Sequence, residues 1–482
     1  MRLALSLILV AAPLSEAPAA APVPKAKAAA LAEAERLGPE IGRMAAELWA
    51  YSETALKEGR SAALLAGILE KEGFAVQRGA AGLPTAFVAT FGSGSPVIGV
   101  LAEFDALPGI GNEAVPRLEP RRDGVKDGQG CGHNLFGAGS VGAGIALKRV
   151  MQAQGLRGTL KVFGTPAEET LVGKTYMARD GLFDGLDAAL DWHPDTKNEV
   201  LNNTGQANNN FSVEFFGKAA HGAFDPWNGR SALDAVELMT HAVNMMREHV
   251  PPSARMHYVI PSGGDVPNVV PAYARVWFFV RDSDRASTER HYEWLQQIAA
   301  AAAQATQTTH KLTLTTGVHE YQLNRPLQEA MKRNLDLVGP PAWGEEEQRF
   351  AREMQAFLKL PEKGLSSAIE PLAATPEPVE GGSTDTAEVS YLTPTSSLNV
   401  ATAGLGLPWH SWSTAASHGI PGASKASVVA AKVLAATGVD LLTDPALLAS
   451  AQAFLKKKTE GRPYRSPIPE GQKPPVPPRP ER

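Results

Sequence analysis

The sequence predicts an α/β protein with a mixed, largely parallel sheet, interrupted by a smaller α+β sandwich. Short apolar runs bounded by Gly and Pro alternate with helical stretches between Gly73 and Pro194, the pattern of buried strands and crossover helices. A strand-helix-strand-strand-helix-strand order then occupies 208–323. Strand and helix signals resume over Pro326–Thr437, so the first domain is completed after the insert.

The elements follow in chain order. Met1-Arg2, the apolar run Leu3–Leu14 and the small-x-small pattern Ala17-Pro18-Ala19 predict a cleaved export signal over 1–19, and hence a periplasmic or secreted protein. That run is too short to span a bilayer, and no later stretch reads as a membrane span. An Ala-rich helical region covers 28–66. Strands are predicted at Phe87–Phe91, Val97–Ala102 and Thr159–Phe163, with a helix at Gly137–Gln154. These belong to a larger domain of residues 28–207 and 324–460. Within the insert, strands are predicted at Phe211–Phe216, His257–Ile260, Ala274–Arg281 and Lys311–Thr315, and helices at Ala232–His249 and Thr288–Thr306. Leu360–Gly382 reads as a long connection, and 461–482 as a Pro-rich tail, disordered from Pro467 onward.

Composition bounds the partners. The 482 residues are 44% hydrophobic and 20% charged with net charge -5, and no basic run occurs. Neither nucleic acid nor an anionic membrane surface is expected as partner. Cys131 is the single cysteine, so no intramolecular disulfide can form. A lone thiol in an exported protein is a liability unless something occupies it.

That thiol lies in Gly130-Cys131-Gly132-His133-Asn134, where two metal-ligand types stand two residues apart between glycines. Both can ligate one ion only from a loop, which the glycines permit, and a thiolate with an imidazole suits Zn, Mn or Co. A buried structural cysteine near a turn is the plainer alternative. Glu168-Glu169 follows the apolar run Leu160–Phe163, and adjacent acids on an extended chain point apart. One can hold a cation while the other serves as base for a water, although paired glutamates also occur on solvated surfaces. His193 ends the run Ala188–Trp192. It is the third ligand type at a strand end, where open α/β sheets gather their sites. His410, in Pro408-Trp409-His410-Ser411-Trp412, is the last candidate and competes with His418.

On these and further motifs the chain resembles the aminoacylase/carboxypeptidase metallopeptidase family, in the amidohydrolase branch that contains hippurate and indole-acetyl-amino-acid hydrolases. The resemblance runs from Leu31 to Ala436. It rests on Ala102–Gly109, Gly130–Asn134, Glu168-Glu169, Gly173–Met177, Phe183–Pro194, Gly217–His221, Gly229–Glu237, Pro267–Pro271 and Gly382–Asp385. It implies a metal-dependent catalytic domain and a lid and dimerisation domain. Two divalent metals, Zn or Mn with Co as alternative, would be held by Cys131, His133, Glu169, His193 and His410. Glu168 would be the general base, Asp105 would orient the cluster, and His221 would support the oxyanion, in relatives across a dimer interface. Asn268 and Arg281 would grip a free carboxylate.

The implied activity is hydrolysis of the amide bond of an N-acyl or aminobenzoyl amino acid, by a homodimer. An exported dipeptidase or carboxypeptidase using the same machinery is the alternative. A carboxylate-binding protein without catalysis, or a hydrolase with Cys131 as nucleophile, leaves most of the ligand set unused. Three features depart from the family pattern. Asn134 stands where Asp is frequent, His410-Ser411 is followed by Trp412 where Pro is frequent, and Arg117–Gly128 is an insertion before the metal loop.

Overall fold

A computed structural model describes residues 23–377 and 382–476. The export signal expected over 1–19 lies outside the described residues, as does the end of the tail.

The described residues form eleven strands: β1 (Ala75–Arg78), β2 (Phe87–Ser93), β3 (Val97–Ala102), β4 (Gly158–Gly164), β5 (Ala188–Asp195), β6 (Glu199–Val200), β7 (Ala207–Phe216), β8 (Arg255–Ser262), β9 (Tyr273–Asp282), β10 (Thr309–Val318) and β11 (Thr395–Ala401). A seven-stranded sheet has the order β1-β2-β4-β3-β5-β11-β6. Its four central strands, β4, β3, β5 and β11, run parallel, while β1, β2 and β6 pair antiparallel at the edges. The parallel strands are almost wholly buried, and β3 and β4 read in the sequence as apolar runs without alternation, whereas β11 buries Thr395, Ser396, Ser397 and Asn399.

One face of this sheet packs against helices His133–Gln154 and Ser424–Thr443, and helices Lys25–Arg36 and Gly38–Tyr51 stack on those two. The stretch Pro421–Thr443 is apolar and long enough to cross a membrane by length and composition, contrary to the sequence reading. It is largely buried in the core, which accounts for its apolar character without a bilayer. The other face is covered by Gly173–Arg179 and Thr386–Leu392, with Phe163, Tyr176, Phe183 and Val389 buried between them.

The insert forms a separate antiparallel sheet, β10-β7-β9-β8. Helices Ala232–Met246 and Arg285–Thr306 cover one face around Phe211, Phe215, Phe278 and Leu295. Ser231 and Asp284 cap their N-termini by accepting from Asp234 N and Ser287 N. Burial alternates along β9. Ala274, Val276, Phe278 and Val280 face the helices, and Arg275, Trp277, Phe279 and Arg281 take the opposite face.

The tail corrects a sequence expectation. From Pro467 to Val476 the chain packs rather than being disordered: Ile468 is buried, and Gln472 Nε2 donates to Leu314 O (2.7 Å) and Tyr176 Oη (2.9 Å). The segment fills the seam between Gly173–Arg179 and β10, a tertiary fit that Pro-rich composition conceals. The long connection is pinned as well, with Asn198 Nδ2 donating to Ala368 O and Asn202 Nδ2 to Thr375 O.

Candidate metal centre

Every strand that contributes to the centre does so at or beyond its carboxyl end. β3 leads to Glu103 and Asp105, β4 to Glu168 and Glu169, β5 carries Asp191 and His193, and β11 leads toward His410. The loop before helix His133–Gln154 adds Cys131, and His133 is the helix's first residue. Gly132 between them has φ +79, and a Cβ there would lie 2.9 Å from Pro194 Cβ. Only glycine lets the thiol and the imidazole converge.

Two ligand groups share Cys131. Cys131, His133 and His193 form one, and Cys131, Glu169 and His410 form the other, with ligand atoms within 4.8 Å in each. Cys131 Sγ is 3.3 Å from His193 Nε2, and His410 Nε2 is 3.4 Å from Glu169 Oε2. The remaining nitrogens are committed elsewhere. His133 Nδ1 pairs with Asp105 Oδ1 at 3.0 Å, and His193 Nδ1 with Pro194 O at 2.6 Å. This leaves Nε2 of both rings toward the centre, as ligation requires. His133 Nε2 lies 3.1 Å from Glu103 Oε2, and Glu169 Oε1 is buried beside the thiol. A soft thiolate, three imidazoles and a carboxylate gathered at this spacing fit Zn-class cations.

His418 is excluded from this set by its own bonds. Its Nδ1 pairs with Gln129 O (2.7 Å) and its Nε2 with Thr402 Oγ1 (3.0 Å), and burial pushes its pKa down to about 4.

The two glutamates diverge at a tight turn. Ala167 and Leu171 flank Glu168–Thr170 with left-handed backbone (φ 59 and 60). Glu169 joins Cys131 and His410, whereas Glu168 faces His133 and Glu103. Asp105 Oδ2 accepts from Glu169 N at 3.0 Å, and buried Glu58 accepts from Ala167 N at 2.9 Å, so two carboxylates brace the turn. Burial, then the charges of Glu103, Asp385 and Glu169, hold the Glu168 carboxyl well above its usual range. Burial pushes Glu169 up to about 8 despite the opposing pull of His133. Burial also raises the Cys131 thiol. Each of these shifts is one that a nearby dication reverses.

Sequence reasoning missed a second layer. Lys174 is fully buried, its Nζ paired with Asp385 and 2.7 Å from Glu103 Oε1. Asp385 Oδ2 also accepts from Lys174 N (2.7 Å), locking the Gly382–Asp385 loop to the helix that begins at Gly173. Charged residues inside otherwise apolar stretches, Lys174 and Asp191, were the available signal.

The remaining predicted residues lie on the inserted domain. Arg281 is half-buried, its Nε has no partner among the described residues, and its guanidinium lies 5.5 Å from the centre of the Phe279 ring. Burial lowers its pKa, and the charge that opposes this belongs to Glu168 across the cleft. His221 and Asn268 are exposed and neighbour each other, with Gly222 N donating to Asn268 O. His221 Nδ1 accepts from Ala223 N and Phe224 N, so its outward Nε2 carries the proton. Neither residue takes part in the metal-ligand groups of its own chain. Exposed Phe224, Trp227, Val266 and Val269 surround them.

The departures have plain positions. Asn134 is buried and donates to Ala45 O and His418 O, away from the ligands. The insertion is anchored by Arg121, which lies 4.2 Å over the Trp49 ring and donates to Trp49 O.

Residues 207–307 match the M20 peptidase dimerisation domain. The chain is 37% identical to a subunit of the p-aminobenzoyl-glutamate hydrolase of Escherichia coli, over 88% of this chain and 94% of that protein. It is 28% identical to the mouse Xaa-Arg dipeptidase, over 89% and 90%. Two solved structures share the fold at 18% identity. One is an aminobenzoyl-glutamate utilization protein from Klebsiella pneumoniae, with a TM-score of 0.59 over 84% of this chain and 97% of that one. The other is a dinuclear metal-binding M20 peptidase from Bacillus subtilis, with a TM-score of 0.55 over 85% and 99%.

Proposed function

The chain belongs to the M20 peptidase family of amide-bond hydrolases, and from that premise we propose that it is a two-metal amidohydrolase releasing an amino acid from an N-acyl or aminobenzoyl conjugate. The observation that carries this reading is the pair of ligand groups sharing Cys131, with Glu168 set beside them. Cys131, His133, Glu169, His193 and His410 would hold two divalent ions, Zn or Mn, or Co. When bound, the ions supply Lewis acidity, polarising the acyl carbonyl and making a water nucleophilic near neutral pH.

The chain's own residues do the rest. Glu168 takes the proton of the attacking water and passes it to the leaving nitrogen. Asp105 fixes the His133 tautomer and the Glu169 backbone, acting as a positioning residue. Arg281 donates to the substrate's free carboxylate from within the cleft, joined by Asn268. His221, with its proton on the outward nitrogen, supports the developing oxyanion.

His221 and Asn268 stand apart from their own centre, among exposed apolar side chains on a domain that matches a dimerisation module. A homodimer in which each copy lends His221 to its partner's site accounts for both facts. The apolar N-terminal leader supports export to the periplasm or beyond, and no membrane span is proposed for the mature protein.

A dipeptidase is the second reading, favoured by the similarity to a protein named Xaa-Arg dipeptidase. The test is hydrolysis of N-acyl amino acids, aminobenzoyl-glutamate and dipeptides, before and after chelation and with Mn, Zn or Co restored. Turnover that disappears with chelator and returns with metal is expected. Full activity in chelator would refute the metal reading.

A further inference from the structure

Antiparallel register sets Arg255, Arg281 and Asn208 directly opposite one another on β8, β9 and β7. Opposed residues of an antiparallel pair share a face. On β7 that face belongs to Asn208, Asn210 and Ser212, because Phe211, Val213 and Phe215 point into the helix-covered core. The same face is seated on the turn that carries the paired glutamates. Thr316 Oγ1 donates to Leu171 O (2.5 Å), and Asn210 Nδ2 to Thr170 O (3.5 Å).

Asn208 is fully buried, and neither Oδ1 nor Nδ2 of its amide has a hydrogen-bond partner among the described residues. Nε of Arg281, its cross-strand neighbour, is bare as well. The neighbour on the other side, Val318, has no polar side-chain atom to offer. Buried amides are normally bonded, and an empty one forgoes two donor and two acceptor positions at once.

The residue type is informative. Arg255, on the far side of Arg281, is a cation, so Asn208 Oδ1 is the side-chain acceptor set directly opposite the guanidinium. An aspartate at 208 would pair with Arg281 and cancel the charge that an incoming carboxylate needs. A carboxamide orients the guanidinium through its oxygen without neutralising it, and keeps an N–H pair to donate.

We propose that Asn208 reads the substrate's free carboxylate together with Arg281, Oδ1 accepting from the guanidinium and Nδ2 donating to a carboxylate oxygen. Full burial means that the amide meets the ligand as the inserted sheet shifts on the glutamate turn. The assignment rests on the reading of Arg281 as the carboxylate grip of an amidohydrolase.

Binding and turnover are measured separately on the full mature chain. Calorimetric titration with N-acetyl-L-leucine, N-acetyl-L-arginine and N-acetyl-L-glutamate, each beside its α-carboxamide, reads the grip directly. The free acids should bind at least about tenfold more tightly than the amides, as a hydrogen bond to a charged group supplies. Asn208→Ala should cut that ratio about tenfold with affinity for the amides unchanged, and Asn208→Asp, which keeps the shape, should abolish it. With metal restored, the loss should fall on KM of the free-acid conjugates rather than on kcat. Wild-type protein that binds acid and amide alike, or none of the acids, would overturn the proposal. So would an undiminished ratio in both variants, or equal loss of acid and amide, which marks a packing role. Acid binding that depends on Asn208 without turnover of any conjugate would leave the assignment standing and overturn the amidohydrolase reading instead.

Discussion

Asp105 Oδ1 lies 3.0 Å from His133 Nδ1, and both residues are shut away from solvent. The other oxygen of Asp105 holds the backbone of Glu169, so one carboxylate orients members of both ligand groups. Asp105→Asn should weaken metal affinity by about 10–100-fold, as loss of such a partner usually does. Titration with a chelator-buffered metal series measures it, and unchanged affinity would remove Asp105 from the centre.

Glu168 faces His133 and Glu103 rather than the Cys131–Glu169–His410 group. Glu168→Gln should lower kcat by about 10²–10⁴-fold while metal content stays at the wild-type level. Elemental analysis of the purified variant separates the two effects. Equal loss of metal and activity would contradict the division of labour between the paired glutamates.

If His221 acts in the partner's site, two inactive variants can rescue each other. Chains carrying Glu168→Gln and chains carrying His221→Ala, unfolded together and refolded at equal ratio, should recover about a quarter of wild-type activity, because half the dimers are mixed and each has one intact site. Recovery no greater than the sum of the two parents would place His221 in its own chain's chemistry.

His418 is buried neutral, with a pKa of about 4 in the fold against 6.5 for a free imidazole. Between those values the unfolded chain binds a proton that the folded chain refuses. Stability therefore falls as pH drops from about 6.5 to 4, by roughly 3 kcal/mol from this group. Urea unfolding of the chelated protein at several pH values measures the slope, and His418→Gln should flatten it by that amount.

Glu169 and His193 were legible because they follow apolar runs that become parallel strands of one sheet, and Cys131 and His133 because two ligand types stand between glycines. The choice between His410 and His418 was not legible from spacing, since it depends on a carbonyl and a hydroxyl contributed by Gln129 and Thr402. Lys174 and Asp191 were visible as charges within buried stretches, but their partner Asp385 and neighbour Tyr321 lie far along the chain. Strands β3, β4 and β5 matched their apolar runs, whereas polar β11 had no such run and the buried tail did not match its composition. Pro-rich segments carry no periodicity by which the burial of Ile468 could be foreseen.

That tail has a mechanical consequence. Gln472 bonds a strand of one domain and a helix of the other, and Arg179 grips its carbonyl. Any swing of the lid that separates β10 from Gly173–Arg179 must first strip these bonds. The stretch Pro467–Val476 thus works as a leash, and trimming it would untie the inserted sheet from the helix Gly173–Arg179.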